Sequence, residues 1–556
     1  MVMDMPMRMV TKPKYLTLLL AAVLNPAVKA GDWQLTPQVE ANYHWVQIDT
    51  DNNIFTESEG EHSDQVQQYK AILDTDYISR RLTFTSTVTA DAIYHNNDQP
   101  DWEKVYYNAA SQLELIEDRL FLSASGQRDY RIINSRYGVF ADNIVGSEAL
   151  SAVEQKQASL KFKKAGSQSL NFVAQASIMQ SEADKSDLAQ AEPQNDLTTA
   201  YDTKSALFSA TASNGYNSAV DWLVSVSSSQ SDRVDVSDFE QNQLIAQIKV
   251  PLSERWAWSN NARVSRSEIK NQDDLSDGLA YQQYGTGINY RFGQKSNIDI
   301  LAYRSKVGDE ETRSFIGGTL SLYFSPRTDL MLNYDRNQFG ENYEFTLNHA
   351  SRFWRTRAYY IEGISLDTLD QFNEEVVGSL VCNSNEFDIG SCYIPLEPDY
   401  QLAADEQLIT FTNTVYELED QVTFEERGGL ILYLNNQRRL TGSLGIGYTE
   451  QEVLEGSLAG RKQRSEDYTM LLAYALSSQT SLEFSSRLNR IEYLGEVNEI
   501  GEPRTDDNMF TSLTLSSQRS QHLTLEAELS RREFDANRLD ADYVDDRLRV
   551  GLIYQF

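Results

Sequence analysis

The sequence is poor in the residues that staple, metallate or catalyse. Among its 556 residues are two cysteines, five histidines and 11 prolines. The histidines, His44, His62, His95, His349 and His522, form no His-x-x-x-His pair, and neither a Gly-x-Ser-x-Gly elbow nor a phosphate-cradling loop accompanies them. These absences argue against a zinc hydrolase and against a nucleotide-driven machine. They leave no catalytic, cofactor-binding or metal-binding residue to name, so a non-enzyme without cofactors is expected. A serine and a histidine that meet only in the fold stay open as an alternative. The adjacent acids Asp273-Asp274 and Glu425-Glu426 would point to opposite faces of a strand, which suits solvated charges better than an acid/base pair.

Positive charge is also scarce. Lys and Arg number 49 against 82 Asp and Glu, a formal charge of −33. Such a surface repels phosphate backbones, so nucleic acid is not an expected partner. Carboxylate-rich loops could instead bridge to lipopolysaccharide through divalent cations, or simply keep long loops soluble.

Long apolar runs are missing apart from one, Tyr15 to Leu24, preceded by Arg8, Lys12 and Lys14 and followed by Val28-Lys29-Ala30. About 20 apolar residues are needed for a spanning helix, and this run is half that. Its layout is that of a secretory signal over residues 1–30, which predicts a mature chain over 31–556. An exported chain without a spanning helix is either soluble or a closed barrel, because only helices and closed sheets satisfy every backbone group in lipid.

What the sequence does have is period-two alternation. From Trp33 onward, stretches of 10 to 14 residues alternate apolar with polar. In one of them Ile316, Gly318, Leu320, Leu322 and Phe324 share a face, and Gly317, Thr319, Ser321, Tyr323 and Ser325 the other. Eleven short polar turns can be read, at 79–81, 117–118, 164–167, 214–217, 251–253, 293–295, 325–328, 349–351, 435–437, 478–479 and 518–520. The connections between them are mostly longer, notably 131–151, 181–201 and 367–405. Short turns on one side and long loops on the other mark an outer-membrane barrel. The expected fold is therefore all-β: one large antiparallel transmembrane β-barrel of about 22 to 24 strands, with the weakest reading at 402–426, where one long strand or an extra hairpin fits. Alternation starts within a few residues of Gly31, which leaves no room there for a plug. So wide a lumen would leak if empty, so inward Arg, Glu, Tyr and Gln, with the 367–405 loop, are expected to fill part of it.

Three further residue sets carry expectations. Cys382 and Cys392 lie ten apart in the polar 367–405 segment, and an oxidising compartment makes them a loop-closing disulfide. Tyr94, Trp102, Tyr106, Tyr107, Trp256, Trp258, Phe353, Trp354, Tyr359 and Tyr360 lie near strand ends, as a girdle at the lipid–water boundary would; stacking on sugars inside the lumen is the alternative. Finally, Leu548, Val550, Leu552, Tyr554 and Phe556 share one face of a closing strand that ends on an aromatic residue. This resembles the terminal strand that the barrel-assembly machinery reads, with Tyr554 and Phe556 as its signal.

The stretch from Tyr323 to Tyr360 also resembles a family. Ser325-Pro326-Arg327-Thr328-Asp329-Leu330, Asn337 to Tyr343, Leu347 to Arg352 and Arg357 to Tyr360 carry the likeness, with a looser match at Asn435 to Leu440. They are similar to outer-membrane proteins associated with the PEP-CTERM/exosortase system of exopolysaccharide-producing bacteria. The resemblance implies a non-enzymatic barrel that works beside exopolysaccharide export components, in the export or surface display of exopolysaccharide or of proteins sorted with it. A diffusion porin for small solutes and a structural or adhesive surface protein are the other classes the residues allow.

Overall fold

The computed structural model describes residues 32–50, 60–96, 101–131, 142–145, 150–164, 170–184, 201–214, 220–233, 238–270, 279–293, 295–308, 311–336, 341–367, 374–383, 406–414, 421–435, 439–454, 460–497, 501–537 and 542–556. Residues 1–30, where a secretory signal is expected, and Cys392 lie outside them.

Every described element is a strand. In chain order they are β1 (Asp32–Thr50), β2 (Gly60–Ile78), β3 (Leu82–His95), β4 (Trp102–Ile116), β5 (Leu120–Arg131), β6 (Ser151–Lys164), β7 (Leu170–Ala183), β8 (Tyr201–Asn214), β9 (Asp221–Arg233), β10 (Asp238–Pro251), β11 (Trp256–Lys270), β12 (Leu279–Arg291) and β13 (Asn297–Val307). There follow β14 (Arg313–Ser325), β15 (Thr328–Arg336), β16 (Glu341–Ala350), β17 (Trp354–Asp367), β18 (Glu374–Asn383), β19 (Glu406–Thr414), β20 (Gln421–Asn435), β21 (Leu440–Val453), β22 (Lys462–Ser477), β23 (Thr480–Val497), β24 (Pro503–Gln518), β25 (Leu523–Ala536) and β26 (Tyr543–Gln555). Twenty-four form one sheet, each pairing antiparallel with its neighbour. The sheet closes where β1 pairs with β26, from Gln38↔Gln555 to Thr50↔Tyr543. Closure gives every wall strand a partner on both sides, which is what lipid demands of a spanning sheet.

All eleven short turns fall between consecutive barrel strands on one rim. The remaining pair, β18 and β19, makes a separate hairpin within the connection between β17 and β20. Of the region 402–426, residues 406–414 are thus the second strand of this extra hairpin, and Gln421 opens the wall strand β20. Residues 406–414 carry strand alternation yet pair with β18 instead of the wall. Cys382 stands near the end of β18, and the disulfide expected between it and Cys392 falls outside the described residues.

Period two gives the wall two chemistries. On β1 the even positions Asn42, His44, Val46, Ile48 and Thr50 are buried, and Trp33, Leu35 and Trp45 on the odd face are exposed. At ~3.4 Å per residue and a tilt near 40°, the stretch from Trp33 to Trp45 rises roughly 30 Å, close to the apolar band of an outer-membrane barrel. The same exposed face continues around the wall through Ile288, Ile300, Ile316, Ile446, Leu529 and Leu552. In water such a belt would aggregate; in lipid it is the solvated surface. Aromatic pairs bound it near the short turns, Trp33–Tyr77 at 4.6 Å, Trp256–Tyr290 at 4.5 Å and His349–Trp354 at 4.6 Å between ring centroids. Tyr43–Trp45 at 4.5 Å bounds it near the loops.

Which face is concave follows from reach. Arg263 on β11 and Asp335 on β15 pair at 3.1 Å although three strands separate them. Along a flat sheet those strands would stand about 19 Å apart, at ~4.8 Å per step. Their side chains meet only inside a sharply bent wall. The bend has a local cause in Gly285 and Gly287 on β12 and Gly317 on β14: a Cβ on Gly317 would stand 2.9 Å from the Tyr303 ring, which lies in the crease. Gln283 also hydrogen-bonds Asp335 there, and Lys249 pairs with Asp299 at 2.6 Å.

Candidate functional site

The richest arrangement of inward side chains crosses the closing seam. Alternation places Glu526 and Glu528 of β25, Arg549 of β26, Asn42 of β1, Gln68 of β2 and Asp91 of β3 on the concave face at neighbouring heights. They form one chain of contacts over five adjacent strands. Arg549 Nη2 donates to Glu528 at 2.7 Å and to Glu526 at 3.1 Å, and Arg549 Nη1 reaches Asn42 Oδ1 at 3.5 Å. Asn42 Nδ2 donates to Gln68 Oε1 at 3.4 Å, and Gln68 Nε2 to Asp91 Oδ2 at 2.9 Å. His44 adds a 3.2 Å contact to Gln68 Oε1. Buried polar groups are costly unless paired, so this ladder both satisfies the inner wall and fixes the register of the seam.

Nearer the loops, residues 142–145, which belong to the connection between β5 and β6, lie at the seam. They dock against the inside of the wall and behave as a strap. Asp142 Oδ1 accepts from the backbone N–H of Ile144 and of Val145, both at 2.8 Å, closing a tight turn. The other carboxylate oxygen takes Arg547 Nη1 at 2.6 Å and stands 3.8 Å from Arg532 Nη1. Arg547 is itself paired with Asp545 on the same strand. Ile144 and Val145 enter an apolar nest of Val46, Ile48, Val66, Ile93 and Tyr543, against which Trp102 and Phe534 pack. Trp102 Nε1 donates to Asn143 O at 2.9 Å.

Burial pushes the Asp142 carboxyl up, but the Arg547 and Arg532 guanidinia, the Arg547 hydrogen bond and the Val145 amide outweigh it and hold the group below its ordinary value. Burying Ile144 and Val145 is worth roughly 3–6 kcal/mol together. Ordering four residues costs about 4–8 kcal/mol. The two are of similar size, so the ion pairs of Asp142 and the Trp102–Asn143 hydrogen bond add to a nearly balanced docking.

Asp142 itself helps to line a cavity of ≈ 200 Å³, together with His44, Phe510, Glu528, Ser530 and the three guanidinia of Arg532, Arg547 and Arg549. The Arg532 guanidinium lies over the Phe510 ring at 5.2 Å. Cationic forks beside an aromatic face can seat a carboxylate-bearing, partly apolar molecule.

The aromatic girdle needs correction. Tyr94, Tyr107, Trp256, Trp258, Trp354 and Tyr360 share the lipid-facing set, and Phe353 sits in the turn before β17. Trp102, Tyr106 and Tyr359 are inward: Trp102 meets the strap, Tyr106 shares its face four residues further along β4, and Tyr359 fits over Gly429, where a Cβ would stand 2.9 Å from the ring. Period two sorts residues into two sets, and an aromatic suits either. Residues 142–145 dock inside the wall; residues 368–373 and 384–405 of the long loop expected to fill part of the lumen lie outside the described residues. The histidines take separate places: His44 and His95 face inward, the latter 2.7 Å from Asp64, while His349 joins the girdle and His522 contacts Gln555 O at 2.9 Å in a turn. Glu425 and Glu426 do split between faces, Glu426 meeting the outward Tyr360 at 3.3 Å; Asp273 and Asp274 lie outside the described residues.

Tyr554 and Phe556 sit on the outer face at the short-turn rim, their rings 4.9 Å apart edge to face, and the Phe556 N–H donates to Pro37 O at 3.0 Å. The closed register, the lipid-facing belt and the short-turn rim decide the location. The chain is an outer-membrane β-barrel.

No family model matches the chain, and no curated protein is similar to it in sequence. Among solved structures it is similar to the FrpB iron transporter from Neisseria meningitidis (F5-1 variant), with 10% identity, 94% of this chain and 82% of that one covered, and a TM-score of 0.48. It is also similar to the copper transporter OprC, with 10% identity, 96% and 82% covered and a TM-score of 0.44. A BenF-like porin from Pseudomonas fluorescens Pf-5 is similar at 8% identity, with 94% and 98% covered and a TM-score of 0.33. The barrel thus has transporters and a porin among its structural neighbours.

Proposed function

We propose that the protein is a non-enzymatic outer-membrane passage for hydrophilic cargo, and that the cargo is exopolysaccharide or protein sorted with it. The observation that carries this reading is the inner wall itself, where charged and amide side chains run unbroken from Glu526 to Asp91 across five strands. A water-soluble polymer can exchange hydrogen bonds with such a wall and release them again, since no single contact is strong. The polysaccharide side of the reading comes from the resemblance of the Tyr323–Tyr360 stretch.

Deleting the gene and restoring it on a plasmid tests the reading, with surface polysaccharide quantified and the purified protein's conductance recorded in planar bilayers. Lowered surface polysaccharide that returns on complementation is expected. Unchanged polysaccharide together with conductance for small ions and sugars would replace the reading with a diffusion porin.

A further inference from the structure

We propose that Arg547 and Arg532 form a carboxylate-binding seat on the inner wall that Asp142 occupies from within the chain, and that its external ligand is the carboxylate of an acidic sugar. The inference rests on the function proposed above for its cargo class, and on the strap geometry for the rest.

The strap uses its one carboxylate for two separate tasks. Oδ1 holds the turn, accepting from Ile144 and Val145, while Oδ2 faces Arg547 at 2.6 Å and Arg532 at 3.8 Å. Only the second oxygen touches the wall's cations, as the free carboxylate of a ligand would. Arg549, the third guanidinium of the cavity, is already taken by Glu526 and Glu528, and Arg547 gives its other nitrogens to Asp545. What Asp142 supplies is thus one negative charge at one place, and an external carboxylate that enters there would take over its contacts with Arg547 and Arg532. The cavity beside it, ≈ 200 Å³, opens onto Phe510 and His44. That is room for several water molecules. A pyranose ring offers what this lining takes: a carboxylate for the guanidinia, hydroxyls for Ser530, Glu528 and His44, and a C–H face for Phe510. A neutral sugar lacks the group that the seat selects.

Asp142→Asn separates the two tasks, since the amide oxygen can keep the turn while an NH2 replaces the anion before the two guanidinia. Calorimetry on the full-length protein in detergent, with glucuronate and glucose as probes, reads the seat directly. The Asp142→Asn variant is expected to bind glucuronate at least tenfold more tightly than wild type, with glucose binding unchanged between the two. Adding Arg532→Gln or Arg547→Gln to Asp142→Asn should remove the gain; the two doubles guard against one failing to assemble, which heat-dependent gel mobility reports. Equal glucuronate affinity in wild type and Asp142→Asn overturns the proposal, as does a gain that survives both arginine substitutions or extends to glucose. Tight glucuronate binding in a protein whose deletion leaves surface polysaccharide unchanged would uphold the seat and remove the cargo reading. The reverse pattern would do the opposite.

Discussion

Gly551 and Asn42 face each other across the closing seam, and Gly551 is glycine because the Asn42 amide occupies the space where its side chain would go. A Cβ at position 551 would fall well inside contact distance of Asn42 Oδ1, the atom that Arg549 Nη1 reaches at 3.5 Å. Alternation puts 551 on the inward face, and the β1–β26 register puts it opposite residue 42.

Gly551→Ala should therefore displace Asn42 and break the ladder at its centre. A destabilisation of about 1–3 kcal/mol is expected, the cost of leaving a buried polar group unpaired. The temperature at which the folded band converts to the unfolded one in gels would fall. Asn42→Ala should cost less in the Gly551→Ala background than alone, the non-additivity of residues in contact. Additive effects would separate the two residues.

Lowering pH should undock the strap only in strong acid. The Asp142 carboxyl titrates below its ordinary value, so its pairing stabilises the docked state above the unfolded pKa of ~3.9 and is lost as pH falls through the lower, docked value. The groups facing it are Arg547 and Arg532, with Asp545 beside them. Trp102, hydrogen-bonded to Asn143 O, reports docking by its fluorescence. Wild type should show a transition below about pH 4 that Asp142→Asn lacks; identical titrations in the two would count against the strap.

Charge placed on the outer belt should be far costlier than charge placed inside. Ile300 is outward at mid-wall, whereas the half-buried Ser227 lies on the inward face of β9. Ile300→Arg is expected to lose roughly 2–4 kcal/mol of folding stability in lipid, measured by guanidinium titration in bilayers. Ser227→Arg should lose clearly less. Similar losses would mean the faces have been assigned the wrong way round.

Replacing Phe556 or Tyr554 with Asp should impair assembly. Both rings lie on the lipid-facing side at the short-turn rim, Phe556 61% exposed, and a carboxylate there removes the apolar contact that the assembly machinery is expected to read. Cell fractionation should find less of either variant in the outer membrane and more in the periplasm. Normal surface exposure of both would show that the closing strand is recognised by other residues.

The sequence by itself determined the strand architecture. Period two is local, so the alternation at 316–324 and the closing set Leu548 to Phe556 could be read directly, and polar punctuation located all eleven short turns. The hairpin in the long loop was harder, because 406–414 alternates just as a wall strand does and only its partner shows where it belongs. Tertiary structure alone decided the inner wall. Alternation gives two faces without saying what either touches, so Trp102, Tyr106 and Tyr359 looked like girdle residues until their inward partners placed them. Asp142 and Arg547 are 405 residues apart in sequence, and Arg263 and Asp335 meet only because glycines let the wall crease between them. Contacts of that kind leave no periodicity behind. They exist because a closed, bent sheet brings distant strands to face one another across its concave side.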